Sequence, residues 1–86
     1  MSDDFKARIK SMMVDRLFMP IEPEEIEDDK SLIRDYGVDS LNLLELVVGV
    51  EEEFGIAIGD TEFRVSNFET VNALSEFIEE KQIEQS

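Results

Sequence analysis

The stretch from Ser40 to Phe54, SLNLLELVVGVEEEF, constrains the fold more than any other part of the chain. At about 100° per residue, Leu43, Leu46, Val47, Val50 and Phe54 fall on one side of a helix. Asp39 stands where an N-cap belongs, Gly37 just before it suits a turn, and Gly55 follows as a stop. A helix with such a stripe cannot stand alone in water. It needs neighbours of the same kind to cover the apolar side.

Two other segments qualify. Residues 3–18 carry Phe5, Ile9, Met12, Met13 and Leu17 at helical spacing. Ser2 or Asp3 can cap that helix, Asp3 and Asp4 suit its positive end, and Pro20 and Pro23 stop it. A last helix is expected from Val71 to Lys81, capped by Thr70, with Val71, Leu74, Phe77 and Ile78 as its core stripe; residues 82–86 are expected to fray. Residues 19–38 form a long connection anchored by Ile21, Ile26, Leu32, Ile33 and Tyr36. Its acids, Glu24, Glu25, Glu27, Asp28 and Asp29, read as a solvated surface without the glycine and ligand spacing of a calcium loop. Ile56-Ala57-Ile58 has strand propensity, but no second strand is visible, so residues 56–69 read as a loop with a brief helical turn near 60–65. The expected fold is all-α: a small antiparallel four-helix bundle with three principal helices, one short helix and a long first loop. It is expected to be a single domain over residues 1–86, with its core in about 3–81.

Composition narrows the possible partners. With 22 acidic and 8 basic residues, the formal net charge is −14. Nucleic acid needs a basic footprint, so it is not an expected partner, and anionic membrane surfaces are disfavoured. The charge favours attraction of basic proteins. There is no cysteine, hence no disulfide, thiol nucleophile or thiolate metal site. No apolar run reaches transmembrane length, and MSDDFKARIK lacks the apolar core of a signal peptide. A cytoplasmic monomer without membrane insertion is the expectation.

The second helix has more apolar surface than its core stripe requires. Leu41, Leu44 and Val48 lie on an adjacent side, next to Glu45 and Glu52. Exposed apolar groups rimmed by acids mark an interaction surface. Gly49, in mid-helix, suggests close approach by another backbone. From Asp35 to Phe63 there are eight acids and no lysine or arginine, whereas Lys6, Arg8, Lys10 and Arg16 lie on the first helix. Mutual repulsion is expected within that acidic span. Divalent cations would sit loosely among Glu51, Glu52, Glu53, Asp60 and Glu62, with no stoichiometric metal site.

Ser40 raises the question of chemistry. The chain has no histidine to serve as base, the nearest lysine in sequence is Lys30, and VDSLN is not a Gly-x-Ser-x-Gly elbow. A serine hydrolase is therefore excluded, and no catalytic residue is assigned. A serine modified by another enzyme fits better, because a helix N-terminus receives a phosphate well.

DYGVDSLNLLELV resembles the Asp-Ser-Leu motif of acyl carrier proteins, in its fuller form Asp-Leu-Gly-x-Asp-Ser-Leu followed by Glu-Leu. EEEFGIAI and TVNALSEFI are similar to the acidic end of that family's second helix and to its last helix, so the resemblance spans roughly residues 3–81. It implies a non-catalytic carrier of acyl groups on 4′-phosphopantetheine, joined to Ser40 by a phosphopantetheinyl transferase that draws the group from coenzyme A. It also implies that Asp39, Leu41, Leu44, Glu45, Val48 and Glu52 dock the transferase and basic-faced acyl-processing enzymes. Tyr36 stands where the pattern usually has leucine, and Asn42 where many fatty-acid carriers have an acid. FMPIEPEE and FRVSNFE lengthen two connections. Fatty-acid, polyketide and specialised lipid pathways all fit. A helical interaction module that has lost the prosthetic group is the rival reading, and a calcium sensor a distant third.

Overall fold

Helix α3, Ser40–Phe54, begins and ends where its flanking residues require. Asp39 caps it, and Gly55 leaves it in the left-handed conformation at φ 65°, returning its N–H to the Glu51 carbonyl. The computed structural model describes residues 2–85. Three further helices accompany α3: α1 over Ser2–Leu17, α2 over Leu32–Tyr36, and α4 over Val71–Gln85. No strand occurs among the described residues. The side chains of Ser2 and Asp3, expected to cap α1, lie outside those described.

The long helices meet through the stripes expected of them. Ile9, Met12 and Met13 of α1, Leu43, Leu46, Val50 and Phe54 of α3, and Val71, Leu74, Phe77 and Ile78 of α4 are all buried. Phe5, Leu17 and Val47 pack at the edge of this core and are only partly buried. The α1–α3 contact is the most extensive, and α1 also packs on α4. Phe68 is fully enclosed and stacks edge-on against Phe77 and Phe63, at centroid distances of 5.7 and 5.8 Å. It is a core residue that the periodicity of the long helices does not reveal.

Several expectations need correction. The short α-helix lies at 32–36, inside the connection read as a loop, while the region after α3 holds two 3₁₀ turns, Asp60–Glu62 and Val65–Phe68. Ser31 caps α2 by accepting from Arg34 N–H at 3.1 Å, and Gly37, at φ 69°, ends it. Helix α4 does not stop at Lys81. It runs through residue 85, where the Gln85 amide exchanges two hydrogen bonds of 2.9 Å with the backbone of Ala57. Residue 86 lies outside the described residues.

Gly49 is buried beneath α1, so what approaches it is a pair of side chains and not a backbone. A Cβ there would lie 2.7 Å from Met12 Sδ and 3.1 Å from Arg16 Cδ. The acids of the first loop are also more than a solvated surface. Lys10 Nζ lies 2.6 Å from Asp28 Oδ1 and Lys6 Nζ 3.7 Å from Oδ2. The Lys10 ammonium, with Lys6 behind it, holds the Asp28 carboxyl below its ordinary range.

Backbone hydrogen bonds fasten this loop to the far end of the chain. Leu32 N–H donates to the Glu69 carbonyl at 2.8 Å, and Asn72 N–H donates to the Asp28 carbonyl at 3.0 Å. Within the loop, the Tyr36 hydroxyl accepts from Glu27 N–H at 2.8 Å and donates to the Glu25 carbonyl at 3.4 Å. The platform leading into α3 is thus set by residues from three parts of the sequence.

Candidate functional site

Ser40 is the first helical residue of α3 and is exposed to solvent. The turn before it is made by Gly37, whose left-handed φ lets the chain leave α2 and start a new helix three residues later. Val38, between them, is buried and pins the turn to the core. Asp39 Oδ1 accepts from Asn42 N–H at 2.9 Å, and the first backbone bond of α3 runs from Leu43 N–H to the Asp39 carbonyl at 2.8 Å. The amides of Ser40 and Leu41 precede that first bond and carry the positive end of the helix dipole.

Past Ser40, one face of α3 stays uncovered. Leu41 is 75% exposed, Leu44 52% and Val48 42%. In helical projection these three and the acids Glu45 and Glu52 share an arc of about 100°, extending some 16 Å along the axis. The structure therefore brings Leu41, Leu44, Glu45, Val48 and Glu52 together on one surface, with Asp39 and Ser40 at its end. It does not add Gly49, which belongs to the α1 contact.

The acids of this face are not free. Arg16, reaching over from α1, donates Nη1 to Glu45 Oε1 at 3.4 Å and Nη2 to Glu52 Oε1. The Glu52 carboxylate, and then Glu45, raise the guanidinium pKa above its ordinary value. Arg8 likewise donates to Glu53 Oε2 at 3.1 Å while its guanidinium sits 4.6 Å over the Phe54 ring. Arg16 was not singled out from the sequence as a site residue. The signal was its position four residues after Met12, which turns it toward the same neighbour.

The surroundings of Ser40 fit an attached phosphate. Ser40 is exposed and the first amides of α3 stand beside it. Among the described residues, no group of three or more acids is placed to hold a metal ion.

Comparison with known proteins bears on the same feature. A family model described as "Phosphopantetheine attachment site" matches residues 7–78. The chain belongs to the acyl carrier protein family. It is 38% identical over 77 residues to the acyl carrier protein of Zymomonas mobilis, covering 90% of this chain and 94% of that one. It is 39% identical over 80 residues to the acyl carrier protein of Buchnera aphidicola, covering 93% and 95%. The all-helical bundle agrees with this membership, and the family's cofactor is 4′-phosphopantetheine. Family membership makes the chain a non-catalytic carrier. Among the described residues, no helix is long and apolar enough to cross a membrane.

Proposed function

We propose that Ser40 carries the 4′-phosphopantetheine and that the chain holds acyl intermediates as thioesters for fatty-acid, polyketide or specialised lipid-building enzymes of the cytoplasm. The observation that carries this reading is the exposed Ser40 hydroxyl at the first position of α3, at the head of an uncovered apolar face rimmed by acids. When bound, the arm supplies the thiol that this cysteine-free chain lacks.

The chain's own residues do three things. Ser40 offers the oxygen that enters the phosphodiester. The first amides of α3 and its dipole favour the phosphate charge beside that oxygen. Asp39 caps the helix that begins at Ser40. A phosphopantetheinyl transferase supplies the base that takes the Ser40 proton, and coenzyme A is the donor: its pyrophosphate bond breaks as the new phosphodiester forms, and adenosine 3′,5′-bisphosphate leaves. Leu41, Leu44 and Val48 give apolar contact to the transferase and to acyl-processing enzymes, while Asp39, Glu45 and Glu52 meet their basic groups.

Intact mass spectrometry after incubation with a broad-specificity transferase and coenzyme A tests the assignment. The wild-type chain is expected to gain the mass of one phosphopantetheine, and Ser40→Ala to gain none. A wild-type chain left unmodified by several active transferases would point to an interaction module without a prosthetic group.

A further inference from the structure

Helix α1 ends on an unusual residue. Phe18 is the one described non-glycine residue with a positive φ, at 52°. The closing turn, in which Met19 N–H donates to the Val14 carbonyl at 3.2 Å, uses a left-handed residue where glycine is the ordinary occupant. A phenylalanine there incurs a steric penalty that glycine avoids. Its ring does not recover that penalty by burial, being 90% exposed. Neither the backbone nor the core explains the residue. Such outliers persist where function holds them.

Phe18 stands beside an open cleft of about 570 Å³, lined also by Asp15, Arg16, Leu17, Asn42 and Glu45. Asn42 and Glu45 lie two and five residues beyond Ser40, about 3 and 7.5 Å along the α3 axis. Glu45 lies only about 40° round the helix from exposed Leu41, so a protein that seats on the Leu41 face next to Ser40 also meets the edge of this cleft. Asp15 and Glu45 outnumber Arg16, which pairs with Glu45, so the rim keeps one net negative charge within a chain of net charge −14. A second copy of the chain would set acid against acid, so the charge selects a basic protein.

We infer that Phe18 is an apolar anchor for the phosphopantetheinyl transferase, seating its ring in an apolar socket whose edge carries basic side chains. This rests on the carrier reading above. It extends the contact surface from α3 onto the end of α1. The ring supplies contact area, and the left-handed backbone projects it away from the bundle, where a partner can enclose it.

The test uses Phe18→Asn, Phe18→Gly and Phe18→Leu in the full chain, with thermal melting and transferase loading from coenzyme A as separate readouts. Asparagine and glycine tolerate the left-handed backbone, so both variants should melt at or above the wild-type temperature. Both should load with kcat/KM lowered on the order of tenfold, mainly through KM. Phe18→Leu should load close to the wild-type rate. Wild-type loading by Phe18→Asn and Phe18→Gly overturns the anchor while leaving the carrier reading intact. A fall in melting temperature for both places the ring in the fold and overturns the anchor as well. A wild-type chain that no transferase loads overturns the carrier reading, and this inference with it.

Discussion

Arg16 on α1 and Glu52 on α3 form a hydrogen-bonded ion pair, and the same guanidinium also reaches Glu45. The chain thus supplies its own cation to acids that a basic partner would seek. Arg16 has to be displaced, or shared, before Glu45 and Glu52 can bind elsewhere. Arg16→Met keeps the apolar stem against α3 and removes the competitor. Transferase loading of this variant at low salt is expected to rise about threefold in kcat/KM. The gain should vanish near 1 M salt, where the Debye length is about 3 Å. Equal rates for both proteins at every salt concentration would show that the pair does not gate docking.

Leu41 and Glu45 test the face itself. Leu41→Ala should leave the melting temperature nearly unchanged, because the side chain is already mostly in water. It should slow loading on the order of tenfold if the leucine is enclosed by the partner. Glu45→Lys should slow loading more at low salt than at high salt. Wild-type loading kinetics for both variants would remove α3 from the docking surface.

Gly49→Ala sets two effects against each other. Alanine gains about 1 kcal/mol of helix propensity over glycine. Its methyl would lie 2.7 Å from the sulfur of buried Met12, and crowding of this kind typically costs about 1–3 kcal/mol. Crowding should win by about 1 kcal/mol, which lowers the melting temperature of a domain this size by roughly 4–8 °C. A rise in melting temperature would mean that Met12 and Arg16 yield freely.

Lys81 gives a pH signature. It is buried, with Nζ 2.6 Å from Glu62 Oε2 and 3.8 Å from Glu84 Oε1. Lys81, and then the Gly59 N–H, lower the Glu62 pKa below its ordinary 4.5, while Glu62 raises that of Lys81 above 10.5. The depressed carboxyl contributes stability that is present above 4.5 and lost as pH falls through the folded-state value. The raised lysine contributes stability that is present below 10.5 and lost as pH rises through its own. Urea unfolding of Lys81→Met against wild type should therefore show its widest gap between those values, narrowing by pH 3. A gap of equal size at pH 3 and pH 7 would assign the loss to packing and not to charge.

Much of this was legible from local rules. Asp39 and Gly55 bracket α3, Thr70 Oγ1 accepts from Ala73 N–H at 3.0 Å to cap α4, and the surplus apolar side of α3 is exposed as its angles require. What the sequence concealed was non-local. Helix α2 has five residues, too few to display a period, and its first N–H is satisfied by Glu69, far along the chain. The last turn of α4 depends on Ala57, 28 residues away. Gly49 announced a close approach, but nothing in its neighbourhood could say that Met12 and Arg16 were what approached. The basic residues of α1 read as a separate cluster until folding laid them against the acids of α3 and the first loop.

That pairing revises the expected response to salt. Glu45, Glu52, Glu53 and Glu62 each receive a cation from outside the acidic span, so repulsion there is weaker than the bare sequence implies. The net charge of −14 remains, and screening it favours the compact state. Melting temperature should rise with NaCl, and at lower concentration with Mg²⁺ or Ca²⁺. A flat response to both would mean that the ion pairs lost on screening balance the repulsion relieved.

The bonds from Leu32 to Glu69 and from Asn72 to Asp28 bear on the order of events during synthesis. The segment that aims Ser40 is braced by residues about thirty positions downstream of that serine. A growing chain contains the Asp39-Ser40-Leu41 sequence well before it can hold that sequence in shape. A fragment ending near residue 60 would contain every letter of the motif and none of its bracing. The shape around Ser40 is complete only when residues 69–72 have joined it, so a partner that reads the folded surface meets a chain in which that bracing is in place.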